Sequence, residues 1–185
     1  MSEPAPLTSE QRAALDAARA RLRKLMRPAR IARANGWTIG VFGGLSVAWA
    51  LVNGGEGLLM GLALTAIAWN ELRGAKRLRV LDPTGAQILG SNQLILALVI
   101  ALYCAVKVAQ ADAAPEPSLK EIEDAAGFPA ELVVQLTQLI YGGTAVIVGV
   151  VQVLLARYHF GAKGRIETFR RDTPGWILAL LQGAA

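Results

Sequence analysis

Cysteine and histidine occur once each, as Cys104 and His159. One cysteine excludes an intrachain disulfide, and no cysteine-based or multi-histidine metal site can be assembled from such a set. A Ser-His-Asp triad cannot be argued from a single histidine at an interface. Walker A and Rossmann glycine loops are absent, as is HExxH. Nothing in the first ten residues, MSEPAPLTSE, resembles the basic start and apolar run of a cleavable signal peptide. The scarcest feature is charge within the apolar stretches. From Leu132 to Ala156, twenty-five residues pass without an Asp, Glu, Lys, Arg or His.

That run identifies the class. A bilayer core about 30 Å thick takes about 20 mostly apolar helical residues, and soluble core helices do not need so long an uncharged stretch. The chain is 54% hydrophobic, above the roughly 45–50% of soluble domains. Its apolar residues fall in four blocks separated by short charged segments. The expected fold is an all-α integral membrane protein, a four-span helical bundle with an amphipathic cytosolic N-terminal helix. Residues 1–35 form the basic helical segment, 36–159 the bundle and 160–185 a basic cytosolic tail with a short apolar patch. The spans are expected at about 37–53, 57–72, 88–108 and 135–157.

The N-terminal segment reads as a helix over 8–34. Thr8 and Gln11 have capping-box spacing. Leu15, Ala18, Leu22, Leu25, Met26 and Ala29 recur at helical spacing, with arginines on the other faces. Pro28 should kink or divide this helix, because it has no N–H and its ring crowds the preceding turn. The apolar stripe fits either an anionic leaflet, to which each basic residue near the surface contributes about 1 kcal/mol, or the protein's own cytosolic side.

The first span carries Gly36, Gly40 and Gly44, extended by Ala48. Small residues four apart let another helix approach backbone to backbone. The second block is uncharged only from Gly57 to Asn70, which covers about 21 Å at 1.5 Å per residue. Trp37 and Trp69 sit where interfacial aromatics belong. Asp82-Pro83-Thr84-Gly85 is a turn signal. Pro129 suits the first turn of a last helix that should reach about His159, and Ser118 with Glu121 suggests a short capped helix in the loop before it.

Seventeen of the nineteen Lys and Arg residues lie before Gly36, within 73–79 or from Arg157 onward. Short-loop positive charge marks the cytosolic side, which explains the net charge of +5 without nucleic acid. Both termini are therefore expected in the cytosol, in a membrane of bacterial inner-membrane type. The spans contain no ionisable residue at mid-depth, where proton and ion pathways usually have one.

What remains is a polar layer near the cytosolic boundary: Glu71, Asn92, Gln93, Arg157 and His159. Glu71 follows a short span, so it should be drawn toward the hydrocarbon and need a partner. Arg157 or His159 could supply a counter-charge, and Asn92 or Gln93 a neutral hydrogen bond. No catalytic set or cofactor motif is visible. The expected function is non-enzymatic: a scaffold, assembly factor or accessory subunit, acting through helix contacts and a basic cytosolic surface. Its partners would be anionic cytosolic-leaflet lipid, further copies of itself or a larger membrane complex. The alternative is a small oligomeric channel or transporter.

Overall fold

The computed structural model describes residues 7–53, 57–113 and 129–183. It is all-helical, with 94% helix and no strand among the described residues. The elements are α1 (Ser9–Leu25), α2 (Arg27–Asn53), α3 (Gly57–Arg79), α4 (Thr84–Ala113), α5 (Ala130–Asp172) and α6 (Gly175–Gly183). The Ser118–Glu121 capping signal lies outside the described residues.

Helix α1 starts where its sequence offers a cap. Thr8 Oγ1 accepts from the Gln11 N–H at 3.2 Å, and Gln11 Oε1 accepts from the Thr8 N–H at 2.9 Å. The break between α1 and α2 falls at Met26, whose N–H still reaches Leu22 O at 2.9 Å. Pro28 then lies in the first turn of α2, where its missing N–H leaves no intrahelical bond of α2 unmade. The stretch Ser9–Asn53 remains nearly continuous, 45 residues in all.

Among the described residues, three helical stretches are long and apolar enough to cross a membrane: Ser9–Asn53, Thr84–Ala111 and Glu131–Asp172. At most 17% of the most apolar window in each is buried, so these segments point most of their side chains outward, as a lipid-facing helix does. Helix α3 stands apart from the three, because Asn70, Glu71, Arg73, Lys76, Arg77 and Arg79 occupy its second half.

The helices pack largely in chain order. Helix α2 lies along α3, α3 against α4 and α4 along α5, whereas α2 and α5 scarcely meet. The dense core is at the basic end. There Ala29 and Ala32 of α2 meet Ala75 and Leu78 of α3, Leu89 of α4, and Ile166 and Phe169 of α5. Gly74 and Gly85 allow α3 and α4 to close here: a Cβ on Gly85 would lie 2.8 Å from both Gly74 O and Leu78 N.

Two sequence expectations change. The last helix does not stop near His159 but continues to Asp172, and Pro129 is its cap residue. Its buried positions run Gln152, Ala156, His159, Ala162, Ile166 and Phe169, a spacing of three and four that carries one inward face through the charged run. Half of the segment read as a basic tail with a short apolar patch is therefore part of this rod. The apolar patch after it is α6, whose Ile177 closes over Leu15 and Ala18 of α1. The apolar stripe of α1 is thus covered by the protein itself, and its arginines are left facing outward.

Candidate functional site

Helix α3 buries one stripe: Ile67 and Ala68, then Glu71, then Gly74 and Ala75, then Leu78. Glu71 is the polar member, and it is fully buried at 0% exposure. Space for it comes from α2. A Cβ on Gly36 would stand 3.2 Å from the Glu71 Cβ and 3.1 Å from the Leu72 side chain. A glycine at that position lets α2 pass directly over the base of the carboxylate side chain.

The carboxylate is held by amides from two other helices. Asn92 Nδ2 donates to Glu71 Oε2 at 2.6 Å and also to Ile67 O at 3.0 Å. Gln93 Nε2 donates to Oε1 at 2.8 Å. Asn35 Nδ2, from α2, donates to the same oxygen at 3.4 Å, a longer bond. Asn92 and Gln93 are 2% and 1% exposed. A buried carboxylate accepting several N–H bonds has its lone pairs satisfied without a counter-ion.

Of the residues expected near Glu71, the structure brings in Asn92 and Gln93 and leaves out the cations. Arg157 is exposed, on the outer side of α5. His159 is buried at 1% exposure, edge-on to Tyr158 at 5.6 Å, and no ion pair to Glu71 forms among the described residues. The charge pairing expected of Arg157 or His159 gives way to amide hydrogen bonds. On a helix, 157 and 159 lie about 200° apart, so the two could not both face the same partner. Asn35 is the member that sequence reasoning missed. Its signal was faint: a single amide beside Gly36 in an apolar block.

The layer has acceptors to spare. Asn92 Oδ1, Gln93 Oε1, Gln152 Oε1 and His159 Nδ1 are buried and take no hydrogen bond from the protein. Gln152 and His159 share the inward stripe of α5, which packs along α4. The hydrogen-bonded cluster itself joins α2, α3 and α4 through Asn35, Glu71, Asn92 and Gln93. No group of three or more His, Cys, Asp or Glu side chains converges among the described residues.

The small-residue strip also divides. A Cβ on Gly40 would meet the Ala68 Cβ at 3.4 Å, so Gly36 and Gly40 both face α3. The strip then continues at Gly43, where a Cβ would lie 2.9 Å from Thr65 N, and it meets Gly61, where one would lie 2.8 Å from Val47 N. Gly44 has nothing within 4 Å, and Ala48 is exposed with it on a flank turned away from α3. Helical geometry accounts for the difference. Steps of four drift by about 40° each, whereas the sequence 36, 40, 43, 47 alternates four and three and stays on one face.

The chain matches no protein-family model, no curated protein and no solved structure.

Proposed function

We propose that this chain is a four-crossing membrane protein with both ends in the cytosol, acting without catalysis as a scaffold, assembly factor or accessory subunit. The observation that carries the reading is on the outward face of α2. Gly44 and Ala48, four apart, sit there beside Leu45, Trp49 and Val52, which are 62%, 71% and 83% exposed. Small residues framed by large apolar ones make a face that a further transmembrane helix can approach closely. The internal contact with α3 already uses Gly36, Gly40 and Gly43, so this second face is free for another chain.

The fourth crossing is α3. Its uncharged section is short, but antiparallel packing on α2 and the amide cradle around Glu71 support its insertion. The amides let the carboxylate lie at the hydrocarbon edge without a cation. The distribution of basic residues supports the orientation.

Co-purification in mild detergent tests this reading. The protein should be recovered with a membrane partner or as a defined oligomer, and Gly44→Leu should disperse that assembly while leaving the subunit folded. Recovery of the unmodified protein as a monomer without partners rejects it.

The spare acceptors around Glu71 favour a second reading, a small transporter or channel whose ion or proton passes the polar layer. Proteoliposome flux that disappears in Glu71→Gln would support it.

A further inference from the structure

Helix α3 has an outer face as well as the inner one that carries Glu71. Trp69, Leu72, Arg73 and Lys76 recur there at spacings of three and four, and they line a groove of about 500 Å³. We propose that this groove binds the headgroup of an anionic phospholipid from the cytosolic leaflet. The inference rests on the orientation proposed above.

Depth is the first argument. The uncharged part of α3 ends at Asn70, and Trp69, 73% exposed, stands where an interfacial aromatic anchors. Arg73 and Lys76 lie about 6 and 10 Å further along the axis at 1.5 Å per residue. The headgroup layer, the difference between about 30 Å of hydrocarbon and about 40–45 Å of whole bilayer, spans about 5–8 Å on each side, so Arg73 falls within it and Lys76 reaches back to it along its flexible stem.

Charge is the second. Neither Arg73 nor Lys76 makes an ion pair among the described residues. The nearest acid on the helix, Glu71, is turned inward to Asn92 and Gln93. On α2, Asn35 faces that inner cluster, so helical spacing turns Arg33 and Trp37 to the other side of Gly36. Both are exposed, at the level of the groove, because Gly36 packs on Leu72.

Shape is the third, and it selects a lipid over a soluble phosphate. Trp69 and Leu72 form an apolar wall on the membrane side of the two cations. An amphiphile can lay glycerol and upper acyl carbons on that wall while its phosphate meets Arg73 and Lys76; inorganic phosphate uses only half of the groove. Another basic groove, lined by Arg21, Lys24 and Arg165, includes Asp172. Its Arg165 lies about 12 Å beyond Arg157 at the helical rise, out of reach of headgroups.

The test is native mass spectrometry of the full chain in detergent, titrated with phosphatidylglycerol, with phosphatidylcholine and inorganic phosphate as separate arms. The unmodified protein should take up one phosphatidylglycerol in preference to phosphatidylcholine, and phosphate should not displace it. Two cations near the surface make a difference of roughly tenfold to thirtyfold, so Arg73→Gln/Lys76→Gln should weaken uptake by that factor. Arg170→Gln/Arg171→Gln, which removes equal charge elsewhere, should not. Equal uptake by the Arg73/Lys76 double variant and the parent overturns the site and leaves the orientation intact. So does an equal loss in the Arg170/Arg171 variant, or displacement by phosphate. Labelling of a Lys76→Cys variant in intact cells by an impermeant reagent overturns the orientation and the site together.

Discussion

Asn92 Nδ2 reaches Glu71 Oε2 at 2.6 Å and Ile67 O at 3.0 Å. One amide thus bonds a side chain and a main-chain carbonyl a turn apart on α3, which fixes both the height and the rotation of α4 against it. Gln93 adds a second bond from the next residue. The contact between α3 and α4 is specified by polar geometry at Glu71 and by the apolar packing of Leu78 and Leu89 beyond it.

Substitutions at Glu71 should separate hydrogen bonding from charge. Glu71→Gln keeps the shape, and Asn92 and Gln93 can rotate their unused carbonyl oxygens inward to accept. Its cost should stay near 1 kcal/mol. Glu71→Leu leaves several buried donors without acceptors, each costing about 1–3 kcal/mol, for a total of at least about 3 kcal/mol. Thermal unfolding in detergent measures both, and equal losses for the two variants would contradict the amide cradle.

Neighbouring glycines on α2 should behave oppositely. Gly43→Ala drives a methyl against Thr65 N at 2.9 Å, and overpacking of this kind costs about 1–3 kcal/mol. Gly44→Ala meets nothing within 4 Å and should leave subunit stability unchanged. The pair of melting temperatures decides which face of α2 packs on α3.

The turn between α3 and α4 should report acid. Asp82 accepts from the Thr84 hydroxyl at 2.8 Å and its N–H at 2.9 Å. These bonds, then the charges of Arg77 and Arg170, hold its carboxyl below its ordinary value of 3.8. A depressed carboxylate stabilises the fold at pH values above its unfolded-state pKa, and that contribution disappears as pH falls through the folded one. The advantage of the parent over Asp82→Asn should therefore be constant at neutral pH, begin to shrink near 3.8 and vanish below it. An advantage that persists unchanged at lower pH would exclude the mechanism.

The orientation has its own readout. Reporter fusions after residue 80 and at the C-terminus should be cytosolic, and one near residue 115 external. Protease attack on residues 110–128 from the cytosolic side would refute the arrangement.

Sequence reasoning reached the helices whose signals are local. The Thr8–Gln11 cap, the apolar runs and the division near Pro28 each depend on a few adjacent residues. Glu71 was legible as a buried acid because a short apolar stretch ends beside it, and Asn92 and Gln93 because they interrupt another. What escaped depended on rotation between helices. Gly43 and Gly44 are chemically identical, and only the 100° between them decides which faces α3. Asn35 joins the cradle through contact with a residue 36 positions away, for which no local pattern exists. The extension of α5 was hidden because Lys163, Arg165 and Glu167 dominate the stretch, while the inward Ala162, Ile166 and Phe169 are sparse.

The length of α5 has a mechanical meaning. Its 43 residues form one uninterrupted rod, about 64 Å long at the helical rise. Roughly half of that exceeds the hydrocarbon thickness. Its inner end carries Ile166 and Phe169, which are wedged into the basic core. In the proposed arrangement such a rod is a lever with its fulcrum at the membrane boundary. Tilting it by about 5° there displaces Asp172, fifteen residues beyond Arg157, by about 2 Å at the same rise. The inner end cannot swing that far without disturbing the packing of α1, α2 and α3, so in the proposed arrangement a tilt of the rod strains the helices packed at the basic end.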